Sequence, residues 1–200
     1  MVLVSHYIRI KFTNNIIVNY TLTICCDAFV FILISEYYKV KRGMVVENTP
    51  NKIPVTSKLL ILLHLLLGIG AVFGGMVLII DPSGKLIKMP ITLLKNSPFH
   101  SFLIPGIILL IVLGVLPLIV SFALATKRQF SIANRLNLFA EMHWAWAYSI
   151  YISFALIIWI TVETFFIHDV AFIHVAYIFL GLAIQAVSLL PSVQKYYLLV

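Results

Sequence analysis

The sequence predicts an all-α fold, a transmembrane helical bundle. Four apolar runs, 59–80, 102–124, 144–167 and 171–190, dominate the chain after residue 58. Each is long enough to cross a bilayer as a helix, because about 20 residues rising about 1.5 Å each span a hydrocarbon core of about 30 Å. Glu163 is the one acidic residue well inside any run. The composition agrees: 62% of residues are hydrophobic, 10% are charged and the mean hydropathy is +1.08. Soluble domains carry about 25% charged residues, and a chain this apolar cannot cover itself with polar surface in water.

The segment 1–43 differs in character from the rest. Its stretch 16–34 is apolar enough for a weak fifth span, but it holds Asn19, Asp27, Cys25 and Cys26. An Asp at a helix centre costs about 2.5–3.5 kcal/mol on insertion. No small-residue cleavage site follows it, so it does not read as a signal peptide. Met44 and the polar residues after it suit a translation start. Two readings therefore stand for 1–43, an atypical extension with a fifth helix or a mis-assigned start, ahead of a four-helix domain over 44–200. Cys25 and Cys26 are the only cysteines. Their absence from the four runs excludes the quinone-linked thiol oxidoreductases, which need cysteines at helix ends.

The first run carries Gly68, Gly70, Gly74 and Gly75. Gly70 and Gly74 fall on one face, where small residues let a neighbouring helix come close. After it, Asp81-Pro82-Ser83-Gly84 has the residues of a β-turn, with Pro second and Gly fourth. The flanking 78–80 and 86–87 are expected to form a short hairpin, and 91–94 a turn of interfacial helix that caps the bundle. Ser97-Pro98 breaks the chain before the second run. Pro117 inside that run removes a backbone donor and clashes with the preceding turn, which predicts a kink. Trp144, Trp146, Tyr148, Tyr196 and Tyr197 suit an aromatic belt at the cytoplasmic interface.

Charge sets the expected orientation. Lys52, Lys58, Lys127, Arg128, Arg135 and Lys195 fall on one side of a four-span topology, against Lys85, Lys88 and Lys95 on the other. The positive-inside rule puts the first group in the cytoplasm, with both ends of the four-helix domain, in a cell membrane. The net charge of +7 then meets lipid headgroups, and no nucleic-acid partner is expected.

Glu163 is the sharpest candidate for function, since an ionisable residue inside a span is costly and tends to face the bundle. Trp159 lies one turn before it. In the fourth run His174, Tyr177, Gly181, Gln185 and Ser188 recur at helical spacing on one face, a stripe suited to lining a cavity or to interhelical hydrogen bonds. Glu163, Trp159, His174, Tyr177 and Gln185 form the candidate polar site within the membrane. Asp81, His100, His168 and Asp169 gather on the expected outer face, but their spacing matches no metal-ligand motif. His64 and His143 fall at neighbouring depths, as a bis-histidine haem would need. Neither metal nor cofactor is expected.

Gly74-Gly75, Asp81-Pro82-Ser83-Gly84, Met89-Pro90, Ser97-Pro98-Phe99, Ile104-Pro105-Gly106, Trp159-Ile160 with Glu163, and Pro191 with Tyr196-Tyr197 resemble a group of small four-span bacterial integral membrane proteins of unassigned function. The resemblance covers about 55–198 and implies a fold without a chemistry. Three functional classes remain: a non-enzymatic partner subunit or binder of a small hydrophobic molecule; a small transporter or channel component using Glu163; and a membrane-embedded enzyme acting on a lipid-like substrate, with Glu163 as acid or base. The first is the leading expectation. Its partners are the bilayer and a second membrane protein.

Overall fold

The structure, a computed structural model, describes residues 52–95, 97–167 and 171–199. All lie in the unit Asn48–Val200. The expectations for 1–43, for the weak span 16–34 and for Met44 lie outside the described residues.

The fold is all-helical. Helix α1 is Val55–Ile80; α2 spans Leu103–Thr126; α3 is the short Ser131–Arg135; α4 is Trp144–Ile167; α5 is Phe172–Ser188; α6 is Pro191–Tyr197. Helices α1, α2 and α4 are long and apolar enough to cross a membrane, and α5 with α6 makes a fourth span if the pair counts as one. The long helices close a ring in chain order, with α1 on α2, α2 on α4, α4 on α5 and α5 back on α1.

Helix α1 starts four residues before its apolar run. Pro54 sits in extended geometry, and its carbonyl accepts from the Lys58 N–H to open the first turn. The α1–α2 contact is close at Gly75 and Gly106. A Cβ on Gly75 would lie 2.8 Å from the Leu110 backbone nitrogen and 2.9 Å from the Gly106 carbonyl oxygen. The close-packing pair expected on α1, Gly70 and Gly74, does not hold these backbones together. The face that meets α2 is the one bearing Gly68, Ala71 and Gly75, because those positions turn inward and are buried.

Pro117 does not act alone in α2. The seven residues Leu109–Val115 just before it form a π-helix. Widening the turn to i→i+5 bonding, with the Leu116 N–H donating to the Ile111 carbonyl, eases the crowding that the Pro117 ring creates in the preceding turn. The irregularity expected at Pro117 is thus spread over the turns on its N-terminal side.

The expected hairpin is absent. Residues 78–80 remain in α1, where the Asp81 N–H still donates to the Val77 carbonyl, and Lys85–Ile87 form a 3-10 turn. The Asp81–Gly84 turn does form, closed by Gly84 N–H to Asp81 O at 3.0 Å. Gly84 has φ of 75°, a left-handed geometry that suits glycine. Ile91–Leu94 is a second 3-10 turn. Its Leu94 packs with Leu78 and Phe102 into a small core under the loop, so this connection covers that end of the bundle.

The opposite end is closed by aromatic residues. Leu190, held extended ahead of Pro191, ends the α5 direction. The chain then bends by 66° into α6. Tyr197 OH donates to the Leu124 carbonyl at 2.7 Å, and Trp146 Nε1–H donates to the Ser188 carbonyl at 2.8 Å. Lys127 Nζ donates to the Tyr196 carbonyl and stands 3.6 Å above the Tyr196 ring; its burial there pulls the ammonium pKa below the ordinary lysine value. Met142 and Leu198 form an antiparallel bridge, with His143 N–H donating to Tyr197 O. Trp144, Trp146, Tyr196 and Tyr197 are all buried. They are therefore not the lipid-facing belt that their positions suggested. The Trp144, Trp146 and Tyr197 donors find carbonyls inside the protein, which removes the reason to reach headgroups. Tyr148 is half-buried, edge-on to the Trp144 ring.

Candidate functional site

Glu163 sits on α4 about one turn from its end, and His174 sits in the first turn of α5. The tight α4–α5 pairing brings them together, with His174 Nε2 3.9 Å from Glu163 Oε1. That is an ion-pair distance, longer than a hydrogen bond. The Glu163 side chain is 28% exposed and that of His174 11%. The Trp159 indole, one turn before Glu163, is a side-chain hydrogen-bonding neighbour of the carboxylate.

The backbone fixes the histidine tautomer. The Ala171 N–H donates to His174 Nδ1 at 3.1 Å. An imidazole nitrogen that accepts carries no proton, so this contact suits the tautomer with its proton on Nε2, the atom nearest Glu163. That His174 also caps its own helix has no signature in the spacing of residues.

These residues border a cavity of about 530 Å³ with walls from α1, α2, α4 and α5. Its lining is mostly apolar, and Glu163, His174, Trp159 and Tyr177 supply the polar groups that matter. A second cavity of about 430 Å³ adjoins it beneath the 81–101 connection, sharing Gly74, Trp159 and Glu163. Gly70 and Gly74, which do not bring α2 close, instead make this space. A Cβ at Gly70 would come 2.7 Å from the Tyr177 hydroxyl, while one at Gly74 would meet a leucine methyl of Leu109 at 3.4 Å.

The other described candidates do not join this site. Gln185 lies on the same face of α5 as His174 and Tyr177 but two turns beyond Tyr177, buried outside the cavity lining. Its Nε2 lacks a hydrogen-bond partner, as do Nε2 of His64 and of His143. Both histidines serve their own helices. His64 Nδ1 donates to the Leu60 carbonyl, and His143 Nδ1 accepts the Ala145 N–H to cap α4. Burial holds the His143 imidazole below its ordinary pKa, which keeps that cap in its accepting form. Asp81 spends its carboxylate on the turn, accepting from Ser83 N–H, Ser83 Oγ–H and Leu86 N–H. Those bonds hold its pKa below the usual carboxylate value, led by the Ser83 hydroxyl. His100 is exposed, and His168 and Asp169 lie outside the described residues. Among the described residues, no three His, Cys, Asp or Glu side chains come together as a metal site.

The arrangement can therefore hold an apolar molecule and present it with one carboxylate, the N–H groups of His174 and Trp159, and one hydroxyl. No family model, curated protein or solved structure matches this chain.

Proposed function

We propose that this protein binds a small hydrophobic molecule between its membrane helices and does not transform it. The observation that carries this reading is the cavity of about 530 Å³ bordered by all four long helices and lined mostly by apolar side chains. Ligand sites commonly measure about 300–1,000 Å³ and combine apolar walls with a few polar groups. An end of the bundle where neighbouring helices touch but leave space between them suits an occupant that arrives from the lipid.

The test is native mass spectrometry of the full chain, gently extracted from its own membrane, beside Gly74→Leu. Gly74 borders both cavities, so a leucine there fills the space. A small molecule retained by the natural chain and lost from Gly74→Leu is the expected result. Equal retention by both proteins refutes the reading.

Contact of one cavity with both Glu163 and His174 favours a second reading, an enzyme on a lipid-like substrate with Glu163 as acid or base. It requires Glu163→Gln to stop turnover of the bound molecule while binding persists. For orientation, we propose that the end holding Thr56, Lys127 and Ser192 is cytoplasmic. Thr56 and Ser192 are hydrogen-bonded at 2.9 Å, and Lys127 reaches Tyr196, so the more basic connections share one end.

A further inference from the structure

We propose that the ligand of this cavity is a lipophilic amine, with its ammonium group on the Glu163 carboxylate and beside the Trp159 ring. This rests on the hydrophobic-ligand reading above and names the ligand's class.

The charges around the cavity carry the inference. Among the described residues, the titratable side chains facing it are Glu163 on α4 and His174 and Tyr177 on α5, and no Lys or Arg lines either cavity. His174 meets Glu163 through Nε2. Its Nδ1 accepts the Ala171 N–H, and a proton added there would set a donor against a donor and break the start of α5. The carboxylate thus has an N–H neighbour at 3.9 Å, beyond hydrogen-bond reach. An ionised carboxylate among apolar walls is stabilised most by an opposite charge.

The walls fit the same group. Trp159 borders both cavities, and an indole face attracts a desolvated ammonium. The remaining lining is aliphatic, suited to the hydrocarbon body. A carboxylate ligand would bring like charges together, and a plain hydrocarbon would make no use of the Glu163 carboxyl group.

The experiment measures binding of 1-aminoadamantane, 1-adamantanol and adamantane-1-carboxylate to the full chain in lipid nanodiscs at neutral pH, read by tryptophan fluorescence. These probes share one rigid apolar body and differ in the head group. The amine is expected to bind at least about tenfold more tightly than the alcohol, the carboxylate being weakest. Glu163→Gln is expected to bring the amine to within about twofold of the alcohol's affinity for the same variant. Equal binding of amine and alcohol by the natural chain overturns the amine assignment and leaves the cavity reading intact. An amine preference that survives Glu163→Gln also overturns it. Binding of none of the three overturns the cavity reading and this inference together. Should Glu163→Gln lose the alcohol as well, through misfolding, the amine-to-alcohol ratio of the natural chain decides alone.

Discussion

Adding one methyl group to each of two adjacent glycines should have opposite effects. At Gly75 the new Cβ would lie 2.8 Å from the Leu110 nitrogen and 2.9 Å from the Gly106 oxygen, both backbone atoms. Backbone cannot swing away as a side-chain tip can, so α1 and α2 must separate along their contact. Overpacking of this kind costs about 1–3 kcal/mol. At Gly74 the new Cβ would meet a single Leu109 methyl at 3.4 Å, an ordinary contact on a cavity wall. Both changes gain the same helix propensity, up to about 1 kcal/mol. The difference between the variants is therefore about 1–3 kcal/mol, with Gly74→Ala at or above the natural stability and Gly75→Ala below it. Reversible unfolding of each variant in mixed detergent micelles measures that difference. If Gly74→Ala loses as much as Gly75→Ala, the assignment of one glycine to the helix contact and the other to the cavity is wrong.

Two further outcomes are expected. Quenching by lipids with brominated acyl chains should act chiefly on Trp159, which is half-buried on the cavity wall, and spare the buried Trp144 and Trp146; strong residual quenching in Trp159→Phe would restore the lipid-facing belt. The Asp81 turn should loosen in acid. Its folded pKa lies below the ordinary aspartate value of 3.8, so the stabilisation is complete above that value and is lost as pH falls through the folded pKa. Amide exchange at Ser83 and Leu86 should accelerate there relative to Asp81→Asn, and an unchanged ratio would argue against the capping role.

The membrane helices were legible because lipid makes a simple demand: every backbone group in an apolar run must be bonded within the chain. The starts and stops of 144–167 needed nothing more. What stayed hidden depended on rotation and on partners. Gly70, Gly74 and Gly75 are equivalent as letters, and which of them meets α2 depends on how α1 is turned about its axis. Trp144 and Tyr197 have interfacial chemistry, but their donors found the carbonyls of Arg128 and Leu124, which no spacing announces. Within the candidate polar site, Glu163, Trp159, His174 and Tyr177 share a cavity wall because α4 and α5 pack side by side. Gln185 lies further along the same stripe, and the space does not extend that far.

Helix α5 is short. At about 1.5 Å per residue its 17 residues rise about 25 Å, less than a typical hydrocarbon thickness of about 30 Å, whereas the 26 residues of α1 rise about 39 Å. The rim of the bundle thus has two heights. A bilayer meeting that rim either thins beside α5 or lets the whole protein lean toward it, at a fraction of a kcal/mol for each ångström of mismatch. Lipids with shorter tails relieve both strains, so the annulus beside α5 should be enriched in them. A thicker sterol-rich membrane would press on the side of the bundle where Glu163 and His174 meet.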